Sequence, residues 1–247
     1  MCTIHLLYKV FDDAPVLIMA NRDELLDRAW SPPALLSQTP KILGPRDMVA
    51  GGTWMGVNEA GVTVGLTNHF GTLATGSSLC SRGYVVTETL RHTTALEARR
   101  FAQVMAPACK SYTLLIADPD HAFVVQNIEG DLRTYELMGG THVLTNRRFR
   151  SPRDPKALRA HKRMKELVAD TAGELPTPVE MRHFLSDHHT YDEGDCPLCV
   201  HPPEGERFAT TSSSAIAVSS QRKIVNYLFA PGQPCVTPWD DVTPYHW

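Results

Sequence analysis

Residues 2–10 alternate between apolar and polar side chains, Asp12-Asp13-Ala14-Pro15 supplies turn chemistry, and residues 16–20 form a short apolar run. Period-two alternation on either side of a turn predicts a β-hairpin whose second strand delivers Asn21-Arg22-Asp23-Glu24 at its end. Residues 28–45 contain Pro32, Pro33 and Pro40 and are expected to be irregular. Two short strands should flank a turn at residues 58–61 and end at Thr67-Asn68. Helices are expected at residues 81–91 and 94–105, the second with Thr94 as cap and Glu97 three positions on. Four β-rich stretches at 112–117, 122–128, 132–137 and 141–145, broken by Asp-Pro-Asp-His, Glu-Gly-Asp and Gly-Gly, predict an antiparallel meander. Asp154-Pro155 opens a helix reaching about residue 169, with proline where its missing N–H costs nothing. Thr177-Pro178-Val179-Glu180 opens another with a capping box. A last hairpin is expected from residues 215–219 and 224–229. Blocks of antiparallel strands alternating with paired helices predict an α+β layered fold, a single domain over residues 1–247.

Composition narrows the function. The chain has 247 residues, 43% of them apolar, enough for a sizeable core that needs neither disulfides nor metal. Lys plus Arg is 24 and Asp plus Glu is 27, so the net charge of −3 argues against a protein defined by bulk charge. No apolar run approaches the roughly 18 residues of a membrane span, so stable membrane insertion is not expected. The first residues lack the basic start and cleavage site of a signal peptide, which makes the cytoplasm the expected compartment. Cys2, Cys80, Cys109, Cys196, Cys199 and Cys235 therefore read as reduced thiols.

Dinucleotide-binding, P-loop, nucleophile-elbow and zinc-protease signatures are all absent. Cys2 is the thiol with chemistry to offer. Removal of Met1 would give it a free α-amine, whose ordinary pKa of about 7.7–8.0 suits a general base for its own thiol of about 8.5. Nucleophile and base then come from one residue. The hairpin would bring Arg22 and Asp23 beside it, a guanidinium to favour a thiolate and a carboxylate to hold the ammonium.

Met-Cys at the start, Ala20-Asn21-Arg22-Asp23-Glu24, Gly51-Gly52-Thr53-Trp54-Met55-Gly56, Leu66-Thr67-Asn68, Ser81-Arg82-Gly83 and Val143-Leu144-Thr145-Asn146 follow one another in order. In this set, from residue 1 to about 229, the chain resembles the NRDE family, which includes the transport-and-Golgi-organisation protein 2. That family is similar to the N-terminal-nucleophile hydrolases of the penicillin V acylase and bile-salt hydrolase group. The resemblance implies a four-layer αββα sandwich and a cysteine that attacks a small-molecule, non-peptide amide, as an amidohydrolase or acyltransferase without a cofactor. It implies Cys2 as nucleophile, Arg22 and Asp23 orienting it, Asn68 as an oxyanion donor and Asn146 as a second brace. Asn21, Trp54 and His69 are the expected substrate-binding residues. One departure stands out: Thr211 occupies a position where the family usually carries an arginine. Family members have been implicated in haem trafficking, so the resemblance also implies an alternative, non-enzymatic binding of haem or a similar amphipathic anion.

Two further features have plainer readings. Cys196-Pro197-Leu198-Cys199-Val200-His201 lacks an evident second ligand pair, so a buried or incidental thiol pair is expected here, and no metal. Nine basic residues between Arg147 and Lys165 lie on a helical pattern without interleaved aromatics, which predicts a solvated helix face and no nucleic-acid binding.

Overall fold

The computed structural model describes residues 2–69, 80–190 and 196–244. β1 (Thr3–Tyr8) and β2 (Val16–Leu25) form the expected hairpin, in which Thr3 faces Asn21 and Tyr8 faces Val16. β2 does not stop at residue 20. It continues through Asn21-Arg22-Asp23-Glu24 because β11 (Phe208–Val218) runs antiparallel along its whole length, from Leu25↔Phe208 to Val16↔Val218. The buried run Thr210-Thr211-Ser212-Ser213-Ser214 belongs to that strand, although its polar character hides it from a periodicity reading.

β1, β2 and β11 are the centre of a six-stranded sheet completed by β10 (Gly140–Leu144), β12 (Ile224–Ala230) and β13 (Asp240–Asp241), in the order β10-β1-β2-β11-β12-β13. A second, seven-stranded sheet runs in sequence order: β3 (Trp30–Gln38), β4 (Lys41–Asp47), β5 (Met55–Asn58), β6 (Thr63–Asn68), β7 (Tyr112–Ala117), β8 (Ala122–Ile128) and β9 (Asp131–Glu136). The expectation of irregular chain over residues 28–45 is thus corrected. β3 is an edge strand with register shifts at Ser31/Ala34 and Leu35/Ser37, and prolines are tolerated at such edges and bulges.

The sheets face one another across a core that includes Ile4, Leu6, Ile18, Met55, Val57, Leu115 and Ile216. α1 (Arg82–Thr89) and α2 (Ala95–Met105) cover the outer face of the second sheet through Val85, Val86, Ala98 and Ala102. α3 (Pro155–Asp170) and α4 (Pro178–Leu185) cover the first through Met164, Leu167, Phe184 and Leu185. The result is a four-layer αββα sandwich. The capping expectations hold: Thr94, Asp154 and Thr177 accept from Glu97, Ala157 and Glu180 N–H, and Glu180 closes a full capping box. None of the described helices is long and apolar enough to cross a membrane.

Two further expectations are overturned. Cys80 and Cys109 are joined in a disulfide, so not all six cysteines are thiols; Cys80 N–H also donates to the Ala108 carbonyl, which brings the pair together from either side of α1 and α2. The basic stretch of α3 is not wholly solvated either. Lys156 and Arg159 are buried, Lys156 against Asp23 and Arg159 against the Cys196 carbonyl.

Candidate active site

Cys2 immediately precedes β1 and shares the face that carries Ile4, turned toward the other sheet. Its thiol is 3.6 Å from the Asp23 carbonyl oxygen, to which it donates. Burial pushes the thiol above its usual range, and the Arg22 charge works against that rise. Arg22 lies on β2 with its side chain turned to the same interior. Its Nη1 donates to Thr211 Oγ1 at 2.8 Å, its guanidinium lies 4.3 Å from the Trp54 ring centroid, and Glu24 and Asp47 each approach to 3.9 Å. Burial draws the Arg22 pKa down, while Cys2, Glu24 and Asp47 support its charge.

Strand alternation sends Asn21 and Asp23 to the opposite face of the sheet. Asp23 Oδ1 accepts from Thr210 Oγ1 at 2.6 Å, and Oδ2 faces Lys156 Nζ at 3.3 Å. Asn21 uses its amide as a brace: Nδ2 donates to the Leu185 and Leu198 carbonyls, and Oδ1 accepts from Ser213. Thr210 faces Asp23 and Ser212 faces Arg22, which leaves Thr211 as the extra residue of a bulge. That bulge aims the Thr211 hydroxyl at Arg22.

A cleft of about 460 Å³ opens over Cys2, between the ends of the sheets. Asn68, at the end of β6, lines it together with Trp54. Asn146 Nδ2 donates to the Asn68 carbonyl at 2.6 Å, and Thr67 Oγ1 donates to the Thr145 carbonyl at 2.8 Å. The two Leu-Thr-Asn motifs, one on each sheet, are therefore tied to each other beside Cys2. His69 is half-buried just beyond β6 and is not among the described residues that line the cleft.

Sequence reasoning missed the cleft's other charges: Arg28, Asp47, Arg82 and Lys110. Burial works against the Asp47 carboxylate, but hydrogen bonds from Arg28 and from the Ala50 and Val49 N–H groups hold it below the usual range. Arg82 is drawn down by burial and supported by Glu24. Arg82 and Lys110 reach the rim because each lies close in sequence to one half of the Cys80–Cys109 disulfide. Gly52 and Gly83 add to this by letting backbones touch: a Cβ on Gly52 would lie 2.3 Å from the Gly83 carbonyl carbon. The Gly-Gly-Thr-Trp and Ser-Arg-Gly motifs are the two sides of that contact, which was the signal available for Arg82.

A sequence profile of the Transport and Golgi organisation 2 family matches residues 1–228. The chain belongs to that family. No curated protein matches it in sequence. Among solved structures, this Transport and Golgi organisation 2 family member is similar to a variant of conjugated bile acid hydrolase from Clostridium perfringens, with TM-score 0.63 and 12% identity over 97% of this chain and 92% of that one. A second structure of that hydrolase is of a mutant whose own second residue is changed from Cys to Ala. Penicillin V acylase from Agrobacterium tumefaciens gives TM-score 0.51 and 15% identity over 98% and 86% of the two chains. The Caenorhabditis elegans ortholog of N-acylethanolamine-hydrolyzing acid amidase gives 0.56 and 12% over 87% and 92%. At such identities the likeness establishes the fold: this family member has the fold of amide-hydrolysing N-terminal-nucleophile enzymes.

Proposed function

We propose that Cys2, made N-terminal by loss of Met1, is both nucleophile and base of an amidohydrolase or acyltransferase acting on a small-molecule, non-peptide amide. The observation that carries this reading is a Cys2 thiol facing a polar cleft between the sheets, with Arg22 beside it and Asn68, whose carbonyl accepts from Asn146, among the residues that line it. The freed α-amine would take the thiol proton, directly or through a water, and the thiolate would attack the amide carbon. Asn68 and backbone N–H groups would hold the oxyanion that forms. Collapse would break the C–N bond, the α-ammonium would return its proton to the leaving amine, and a thioester would remain on Cys2. Water or another acceptor would then release the acyl group; no cofactor enters. Asp23, held by Thr210 and Lys156, is assigned to orient the α-amine, and Arg22 to favour the thiolate.

The alternative of haem binding is less well supported. The described lining of the cleft is charged around Arg28, Asp47, Arg82 and Lys110, whereas a haem needs apolar walls against both faces. Arg22, Arg28, Arg82 and Lys110 outnumber Glu24 and Asp47 in that lining, which suits instead an amide substrate that carries an anionic group.

The test combines intact mass with acylation. Protein expressed in a cytosol should lack Met1, and an acyl donor should leave a thioester on Cys2 that mass spectrometry detects after acid quenching. Cys2→Ala should remove turnover by roughly three powers of ten or more. Met1 retained in essentially every molecule, or turnover indifferent to Cys2→Ala, would sink the proposal. A Soret band on haem titration, unchanged when Cys2 is blocked, would favour the alternative.

A further inference from the structure

Away from the cleft, the fold gathers four metal-ligating side chains from three separate segments. His188 follows α4, Cys199 and His201 precede β11, and Cys235 lies in the tail after β12. One ligand atom from each lies within 4.8 Å of all the others. The expected Cys196/Cys199 pairing gives way to Cys199 and Cys235, whose Sγ atoms are 3.7 Å apart. Two thiolates bound at about 2.3 Å in a tetrahedron stand about 3.7–3.8 Å from each other, so the sulfurs are already at a tetrahedral edge. His201 Nε2 lies 3.0 Å from Cys235 Sγ, against roughly 3.5 Å for a thiolate and an imidazole on one zinc ion.

The surroundings resemble the support that metal ligands receive. His188 Nδ1 lies 3.1 Å from the Cys199 carbonyl oxygen. An Nδ1–H donated there fixes the tautomer and leaves Nε2 to ligate. Cys199 N–H donates to the Asp187 carbonyl, and Arg182 holds the Pro234 and Cys235 carbonyls at 2.8 and 3.1 Å. These backbone contacts place the ligand-bearing segments without any help from a metal.

We propose that His188, Cys199, His201 and Cys235 form a two-thiolate, two-imidazole site for a structural zinc ion. A closed set of two soft sulfurs and two imidazoles selects zinc among the common divalent ions, and with four protein ligands no position is left for catalysis. Binding releases the two thiol protons to solvent. The ion fastens the tail to the segment around residues 198–201. That segment backs the candidate active site: the Leu198 carbonyl accepts from Asn21, and Val200 exchanges hydrogen bonds with Thr210, which holds Asp23. The zinc site is independent of any reaction at Cys2, and none of the measurements that test it reads turnover.

The test uses tag-free, full-length protein purified with reductant. Elemental analysis should find about one zinc per chain, and cobalt(II) exchange should give tetrahedral ligand-field bands with a thiolate charge-transfer band. Cys235→Ser and His201→Ala should each weaken metal binding by roughly 100-fold or more, whereas Cys196→Ser should leave it intact. If those variants fail to fold, the wild-type cobalt spectrum and a fall in Tm on chelation decide the question. Metal-free protein that takes up neither ion, an octahedral cobalt spectrum, or equal loss in Cys196→Ser would overturn the proposal. So would a Cys199–Cys235 disulfide in protein alkylated before lysis.

Discussion

Thr211 stands where the family usually carries an arginine, and from the sequence alone an arginine there looks like a restored cation. The structure reverses that expectation, because the Thr211 hydroxyl already accepts from Arg22. Thr211→Arg removes the acceptor and sets two guanidinium groups side by side in a buried site. The expected outcome is a loss of about 1–3 kcal/mol with no gain in Cys2 labelling rate, read from urea midpoints and thiol-acylation kinetics on one preparation. His5 carries a second prediction. It is fully buried, packs edge-on against Phe184, and its ring nitrogens have no hydrogen-bond partner among the described residues. Burial, reinforced by Lys156 and His161, lowers its pKa to about 3. Between that value and the unfolded value of about 6.5 only the unfolded chain takes up the proton, so stability falls as pH drops below 6.5. Acidification from pH 6.5 to 5 should cost about 2 kcal/mol through His5, and His5→Leu should flatten that part of the urea-midpoint profile. Cys2, Arg22, Asp23, Asn68 and Asn146 could be picked out of the sequence as candidates because each sits in a local motif. Arg28, Asp47 and Lys110 could not, because only tertiary packing brings them to one cleft, whereas Arg82 carried a signal in its Ser-Arg-Gly motif.

Among the elements, the contact between the Gly52 turn and the start of α1 is the most exacting. A Cβ at Gly52 would fall within 2.3–2.7 Å of three Gly83 backbone atoms, none of which ends a flexible side chain. Gly52→Ala should therefore displace α1 or cost about 3 kcal/mol or more, visible as a lower Tm together with loss of cleft binding. The alternating hairpin of β1 and β2, the capped helices and the meander of β7 to β9 could all be read from periodicity and turn residues. β3 and most of β11 could not. Prolines disguised β3, whose place at a sheet edge tolerates them, and a buried Thr/Ser run disguised β11, whose Thr210, Thr211 and Ser213 hydroxyls are spent on Asp23, Arg22 and Asn21.

Across the molecule, the Asp23–Lys156 pair links the central sheet to its helical layer, with Lys156 2% and Asp23 3% exposed. Removing one member of such a buried pair ordinarily costs about 3–5 kcal/mol, so Lys156→Met should lower Tm strongly and slow Cys2 modification in the same variant. Layer order was legible from the blocks of strands and helices. Which sheet faces which helix pair was not, since both sheets have apolar faces on each side.

β1 lies between β10 and β2, so the strand that follows Cys2 is paired with β2 from Thr3 and with β10 from Ile4 once folding is complete. β10, one of the two partners of β1, is made more than a hundred residues after it. On the proposed mechanism, this sets a deadline for maturation. An aminopeptidase needs an extended, accessible amino end, and that end is most open while the nascent chain is short and β10 is still unmade. Chain that folds with Met1 in place should stay unprocessed when the purified aminopeptidase is added afterwards, whereas the same enzyme added to urea-unfolded chain should trim it. Activation would then be an event of synthesis, fixed once per molecule and closed to later control.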